Sequence, residues 1–200
     1  VQTVRAAARN YLLQQWLADQ GFIVVTIDAR GTPGRGRAWE RTIKNDVMSI
    51  PLEDQARAVT LLAKKVPQMD LSRVGISGWS FGGYFSALPT MRRPDIFKAG
   101  IAGAPVCDWR DYDTHYTERY MGLPQDNQSG YDKASVLTYC KDLTVPLLII
   151  HGTSDDNVYF LHSLKMTGAL FRANKHFEFL PLAGFTHSVP DPVVIKGLQT

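Results

Sequence analysis

The chemistry in this 200-residue chain begins at Gly78-Trp79-Ser80-Phe81-Gly82, a G-x-S-x-G pattern. Between a strand and a helix, that pattern holds a serine hydroxyl exposed on a sharp turn. Arg73-Val74-Gly75-Ile76-Ser77-Gly78 reads as a short strand, and residues 82–91 read as a helix that ends before Pro94. The context is therefore the one the motif requires. The glycines are steric: Ser80 must take a strained conformation, and a Cβ at either flank, Gly78 or Gly82, is expected to collide with the neighbouring strand or helix. Gly83 adds close packing. The Phe81 N–H opens the helix, where it can donate to an oxyanion. The bland alternative is a glycine-rich strand-to-helix turn without chemistry.

A serine nucleophile needs a base, and the base needs a carboxylate to orient it. After this kind of elbow the chain order is serine, acid, histidine. The apolar run Pro146-Leu147-Leu148-Ile149-Ile150-His151 is the clearest strand, and Gly152-Thr153-Ser154-Asp155-Asp156-Asn157 follows it. Two aspartates compete there; Asp155 is chosen as the acid, with Asp156 expected to cap the next helix. Of the five histidines, His187 lies in a loop after the last strand, where the base belongs. His151 reads as a structural residue, and His115, His162 and His176 read as surface or packing residues.

These residues need a frame. Residues 5–20 read as a helix closed by Gly21, residues 52–66 as a helix with Ala56, Val59, Leu62 and Ala63 on one stripe, and residues 157–173 as an amphipathic helix. Strands are expected at residues 22–27, 73–78, 99–104, 146–151 and 177–182. A glycine-rich loop follows the first of them, at residues 31–36. Strands alternating with helices imply a parallel sheet with right-handed crossovers. Sites in such sheets form at the carboxyl ends of the strands, and each of the three candidate catalytic residues follows a strand. The expected architecture is an α/β-hydrolase fold, a mostly parallel sheet with helices on both faces, truncated at its N-terminal edge.

Composition narrows the function classes. An apolar fraction of 44% and a charged fraction of 20% are ordinary for a globular domain, and no run of 18 apolar residues is present. The net charge of +3 is mild. Arg30, Arg35, Arg37, Arg41 and Lys44 cluster, but no recognition motif or stacking aromatic series accompanies them, so a solvated loop is expected rather than a nucleic-acid face. Cys107 and Cys140 form neither a C-x-x-C nor a disulfide framework. No metal-ligand cluster is visible, so neither a metal nor an organic cofactor is expected. The start at Val1, with no initiator Met and no signal peptide pattern, suggests a piece of a longer chain.

The motifs as a set resemble a known family. Gly78-Trp79-Ser80-Phe81-Gly82-Gly83-Tyr84 and His151-Gly152-Thr153-Ser154-Asp155-Asp156-Asn157-Val158 are similar to the prolyl oligopeptidase (S9) family of serine peptidases, as is Asp28-Ala29-Arg30-Gly31-Thr32. The segment Tyr112-Asp113-Thr114-His115-Tyr116-Thr117-Glu118-Arg119-Tyr120-Met121-Gly122-Leu123-Pro124 resembles the dipeptidyl peptidase IV branch. The resemblance runs in order along essentially the whole chain.

That resemblance implies Asp155 as the acid. It implies Tyr112 and Tyr116 lining an S1 pocket for proline, with Val106, Trp109 and Val158 completing the walls and Asn157 holding a substrate carbonyl. Without it, ordinary core packing is the better reading of the aromatic set. It also implies a second oxyanion donor, a tyrosine hydroxyl on a strand upstream of Val1, and an N-terminal β-propeller whose paired glutamates grip the substrate's amino terminus. Loss of one oxyanion donor costs roughly 100- to 1,000-fold in rate. The expected function is release of Xaa-Pro dipeptides from free N-termini by a serine peptidase. Alternatives are an acylaminoacyl or tripeptidyl peptidase, a carboxylesterase on the same triad, or a module without turnover. The expected partner is a peptide substrate, without nucleic acid and without membrane contact. In this family the last helices often build dimers, so a homodimer stays open.

Overall fold

The computed structural model describes Val4 and residues 11–197. Four strands, β1 (Gly75–Trp79), β2 (Ala99–Gly103), β3 (Leu147–Gly152) and β4 (Glu178–Leu182), form one parallel sheet in the order β1-β2-β3-β4. The helices are α1 (Tyr11–Asp19), α2 (Arg37–Glu40), α3 (Ser49–Ala63), α4 (Phe81–Arg92), α5 (Thr114–Met121), α6 (Gln128–Ala134), α7 (Leu161–Arg172) and α8 (Pro192–Gly197). Among the described residues no helix is long and apolar enough to cross a membrane.

The sheet core follows from residue size. β3 is Leu147-Leu148-Ile149-Ile150-His151-Gly152, almost wholly buried, as a central parallel strand should be. β2 is Ala99-Gly100-Ile101-Ala102-Gly103, small enough for α4 to lie directly on β1 and β2. A Cβ on Gly83 of α4 would run into the carbonyl of Gly103, and one on Gly100 would meet Thr90 and Leu147. Tyr84, Leu88, Met121, Tyr131, Ile149 and Met166 fill the interior, all within 1% of complete burial. Burying such side chains stabilises the fold by about 1.5–3 kcal/mol each.

The register aligns the strand ends. Trp79 faces Gly103, Gly103 faces Ile150, and Gly152 faces Leu182. The loops after β1, β3 and β4 therefore emerge along one edge of the sheet.

Residues 22–27, expected as a fifth strand buried on both faces, belong to no ladder. Phe22 and Ile23 are 64% and 48% exposed. A cavity of about 320 Å³ separates Val25, Thr26 and Ile27 from Ile76, Phe81 and Phe85. The backbone here is held by side chains of α3 instead of a ladder: Gln55 Nε2 donates to the Ile27 carbonyl, and the Arg30 N–H donates to Asp54. The expected helix at residues 5–20 is seen from Tyr11, and its residues 5–10 lie outside the described residues. The helices expected at 52–66 and 157–173 run at Ser49–Ala63 and Leu161–Arg172.

The basic cluster is partly neutralised within the fold. Arg30 makes a two-pronged ion pair with Asp54 at 2.6–3.1 Å, and Arg35 lies over the Trp39 ring. The Arg30 hydrogen bonds hold the Asp54 carboxyl below its usual range. The two cysteines are buried. Burial pushes the Cys140 thiol up to about 11 and the Cys107 thiol higher still. Since the thiolate is the nucleophile, neither should react with iodoacetamide at pH 8 in the folded chain, and both should in denaturant. Mass spectrometry of the intact protein reads this directly; rapid native alkylation of either would contradict the burial.

Candidate active site

β1 hands directly to α4 at Ser80. Ser80 has φ 61° and ψ −119°, a left-handed backbone that costs a non-glycine residue about 1–3 kcal/mol. Two hydrogen bonds hold the turn: the Ser80 N–H donates to the Gly103 carbonyl at 2.8 Å, and the Ser80 carbonyl accepts from Tyr84 at 3.0 Å. A Cβ on Gly78 would press on the Gly82 backbone at 2.6 Å. Gly82 itself has open space where its Cβ would lie, so the expected collision at that flank is corrected. The second tight glycine is Gly83. Phe81 is the first residue of α4, so its N–H has no acceptor within the helix. That leaves it able to donate to an anion beside Ser80.

The loops after β3 and β4 are zipped together. Thr153 N–H donates to the Leu182 carbonyl, Ser154 N–H to the Phe185 carbonyl, and Gly184 N–H to the Thr153 hydroxyl at 2.8 Å. Gly152 permits this, since a Cβ there would strike the Phe185 and Thr186 backbone. The result is a 2.7 Å contact between His187 Nδ1 and Asp155 Oδ2. The Trp79 indole N–H donates to the His187 carbonyl at 2.8 Å, which ties the histidine loop to the residue preceding Ser80. The carboxyl end of the sheet thus carries Ser80 directly after β1, and Asp155 and His187 on the paired loops after β3 and β4. An imidazole held this way can take and return a proton, with the carboxylate fixing the Nδ1–H tautomer.

Asp155 is buried and makes more contacts than a triad needs. Its Oδ1 accepts from the Asn157 and Val158 N–H groups, each at 2.9 Å. Asp156 is exposed. The expectation that it caps the next helix is corrected: α7 begins later, after Phe160, with no side-chain cap. Asp155 itself organises that turn.

The aromatic residues pack into one block. Trp109 stacks on Tyr116 with centroids 5.8 Å apart and meets Tyr112 edge-on at 5.7 Å. Phe81 joins it at 5.9 Å. Tyr112 and Tyr116 are partly exposed, whereas Val106, Trp109 and Val158 are buried behind them. Burial pushes the Tyr116 phenol up to about 12. The Tyr112 hydroxyl donates to Asn157 Oδ1 at 2.8 Å, which leaves the Asn157 amide NH₂ as its donor.

Sequence reasoning missed two supporting groups, the Trp79 indole and the Thr153 hydroxyl, and did not foresee that His151, read as structural, contacts Asp155 directly. Of these, only His151 carried a sequence signal, its place at the end of the strand before the acid. Among the described residues, one set of potential metal ligands comes together, Cys107, Asp111 and His162, with ligand atoms within 4.8 Å. Both Asp111 oxygens are already bound by Lys165 Nζ at 2.7 and 2.8 Å, and the thiol is held protonated by burial. That donor set is spoken for and does not favour a cation.

Comparison with known proteins agrees with the motif assignment. The profile of the "Prolyl oligopeptidase family" matches residues 10–197. Human dipeptidyl peptidase 8 is 41% identical over 186 residues, covering 92% of this chain and 21% of that protein. The crystal structure of Porphyromonas gingivalis dipeptidyl peptidase 4 superposes with a TM-score of 0.81 at 39% identity, covering 86% of this chain and 24% of that one. The chain thus spans about a fifth of the length of its human relative. The sheet and helices are those of an α/β-hydrolase fold. On its motifs, its fold and these relatives, the chain belongs to the prolyl oligopeptidase family, on its dipeptidyl peptidase IV branch.

Proposed function

We propose that residues 1–200 are an α/β-hydrolase catalytic domain, part of a longer chain with an N-terminal β-propeller, that cleaves peptides after proline and releases Xaa-Pro dipeptides. The observation that carries this reading is the buried Asp155 carboxylate on His187 Nδ1 at 2.7 Å, in a loop that the Trp79 indole ties to the residue before the strained Ser80. Ser80 Oγ bonds to the carbonyl carbon of the penultimate residue as its proton passes to His187. The Phe81 N–H holds part of the oxyanion. The carbon–nitrogen bond breaks, His187 gives its proton to the leaving amine, and water reverses the sequence to release the dipeptide.

The block of Tyr112, Tyr116 and Trp109 suits a rigid, flat prolyl ring, and the Asn157 amide is turned to hold a substrate carbonyl. In this reading the partner is a peptide. Nucleic acid is no partner in this reading, which the pairing of Arg30 with Asp54 and of Arg35 with Trp39 supports. A homodimer is compatible with the exposed Leu161, Leu164 and Phe171 on α7.

Fluorophosphonate labelling with peptide mapping tests the nucleophile, with Ser80→Ala as control. The expected result is a single adduct on Ser80, absent from Ser80→Ala. A panel of H-Xaa-Pro amides, blocked peptide amides and short acyl esters then sorts the chemistry. Preference for the first supports the dipeptidyl reading. Turnover confined to blocked amides or to esters would replace it with the acylaminoacyl or carboxylesterase alternative.

A further inference from the structure

Asp155 holds two histidines, not one. His151 Nε2 lies 3.1 Å from Asp155 Oδ2, the same oxygen that contacts His187, and 2.8 Å from the Val158 carbonyl. His151 Nδ1 lies 2.7 Å from the Ser163 hydroxyl. Both His151 and Ser163 are fully buried.

This contact set fixes the proton. Nε2 faces a carboxylate oxygen and a backbone carbonyl, two acceptors, so Nε2 must carry hydrogen. A neutral ring then has a bare Nδ1, which accepts from the Ser163 hydroxyl. Burial lowers the imidazole's affinity for a second proton, which favours the neutral ring. Asp155 is left with four donors: the Asn157 and Val158 N–H groups on Oδ1, and His151 and His187 on Oδ2.

We propose that His151, held by Ser163, is a positioning residue that tunes the catalytic histidine through Asp155. The inference rests on the reading of Ser80, Asp155 and His187 given above. A second donor on Oδ2 draws part of the carboxylate's charge away from His187. It therefore limits how strongly Asp155 favours the imidazolium, and keeps His187 available as a base at lower pH. The titratable groups facing this assembly are Asp155 after β3, His187 after β4, His162 on α7, and Tyr112, whose hydroxyl is tied to Asn157. Only His151 both touches Asp155 and stays neutral in the reading above. The carboxylate cannot swing away when His151 is lost, because the two N–H groups on Oδ1 still hold it.

The test is the pH dependence of fluorophosphonate labelling at Ser80, compared across variants of the protein. His151→Leu keeps the volume and removes the donor. Its acidic limb should move up by about 0.5–1 pH unit, so labelling near pH 6 falls roughly three- to tenfold while the alkaline plateau changes less than about threefold. His151→Gln keeps an N–H near the Nε2 position and should restore the limb. Ser163→Ala frees the ring without emptying the site, and should move the limb the same way by less. An unmoved limb in folded His151→Leu, or an equal shift in His151→Gln, overturns the proposal. If His151→Leu does not fold, Ser163→Ala decides: a shifted limb supports the relay and an unshifted one overturns it. No Ser80 labelling in the unsubstituted protein would overturn the functional reading and this inference together. Labelling with an unmoved limb overturns this inference alone.

Discussion

Replacing Asp155 by asparagine should lower turnover of an H-Xaa-Pro amide by about 10⁴-fold, the loss typical when a triad carboxylate becomes an amide. The reason is a count of donors. Asp155 accepts two backbone N–H groups on Oδ1, and contacts His151 Nε2 and His187 Nδ1 through Oδ2. An amide has one oxygen, so its NH₂ must face one of these donor pairs. Facing the imidazoles, it drives the His187 proton onto Nε2, the nitrogen that receives the Ser80 proton in the proposed mechanism. Facing the Asn157 and Val158 N–H groups, it disrupts the turn that carries the residue. Either arrangement leaves buried donors unpaired, which costs about 1–3 kcal/mol, or a fall of about 2–12 °C in the melting midpoint for a chain of this size. Steady-state kinetics with a thermal melt measures both. Asp156→Asn is the control, since Asp156 is exposed and should change turnover less than twofold. A loss of tenfold or less in Asp155→Asn, or a large loss in Asp156→Asn, would remove Asp155 from the acid role.

The candidate triad was legible because each member sits in a loop after a strand, and strand-loop order survives errors of two or three residues in the boundaries. The boundaries themselves moved for local reasons. The helix expected from residue 157 starts at Leu161, because Asp155 captures the Asn157 and Val158 N–H groups into a turn. Residues 22–27 have the β-branched run of a buried strand, yet a strand is defined by its ladder. Here the Ile27 carbonyl and the Arg30 N–H bond to side chains of α3. The His151–Ser163 contact was not legible, because nothing in the spacing of twelve residues marks it. It exists only once α7 packs onto the end of β3. The aromatic block was assigned through family resemblance, since periodicity alone cannot separate a pocket wall from a core.

The largest stability effect is expected one residue beyond the G-x-S-x-G motif. Gly83 lies where α4 crosses β2, and a Cβ there would enter the carbonyl of Gly103. The obstruction is backbone, so no side chain can rotate aside; α4 must lift or β2 must bend. Overpacking costs typically 1–3 kcal/mol, and with backbone on both sides Gly83→Ala should reach the upper end, about 3 kcal/mol. The melting midpoint should fall by about 6–12 °C. Activity should suffer as well, because the Gly103 carbonyl also accepts the Ser80 N–H at 2.8 Å. Displacing that carbonyl displaces Ser80, the proposed nucleophile, and a misplacement near 1 Å costs about 100-fold. Gly82→Ala makes the comparison sharp. Gly82 is a named glycine of the motif, yet its Cβ would meet nothing within 4 Å. Alanine there should hold or raise the melting midpoint, since it favours the helix by up to about 1 kcal/mol. Thermal melts of the two variants decide between sequence pattern and packing as the reason for glycine. If Gly82→Ala were the unstable one and Gly83→Ala were tolerated, the approach of α4 to β2 would not be what sets the position of Ser80.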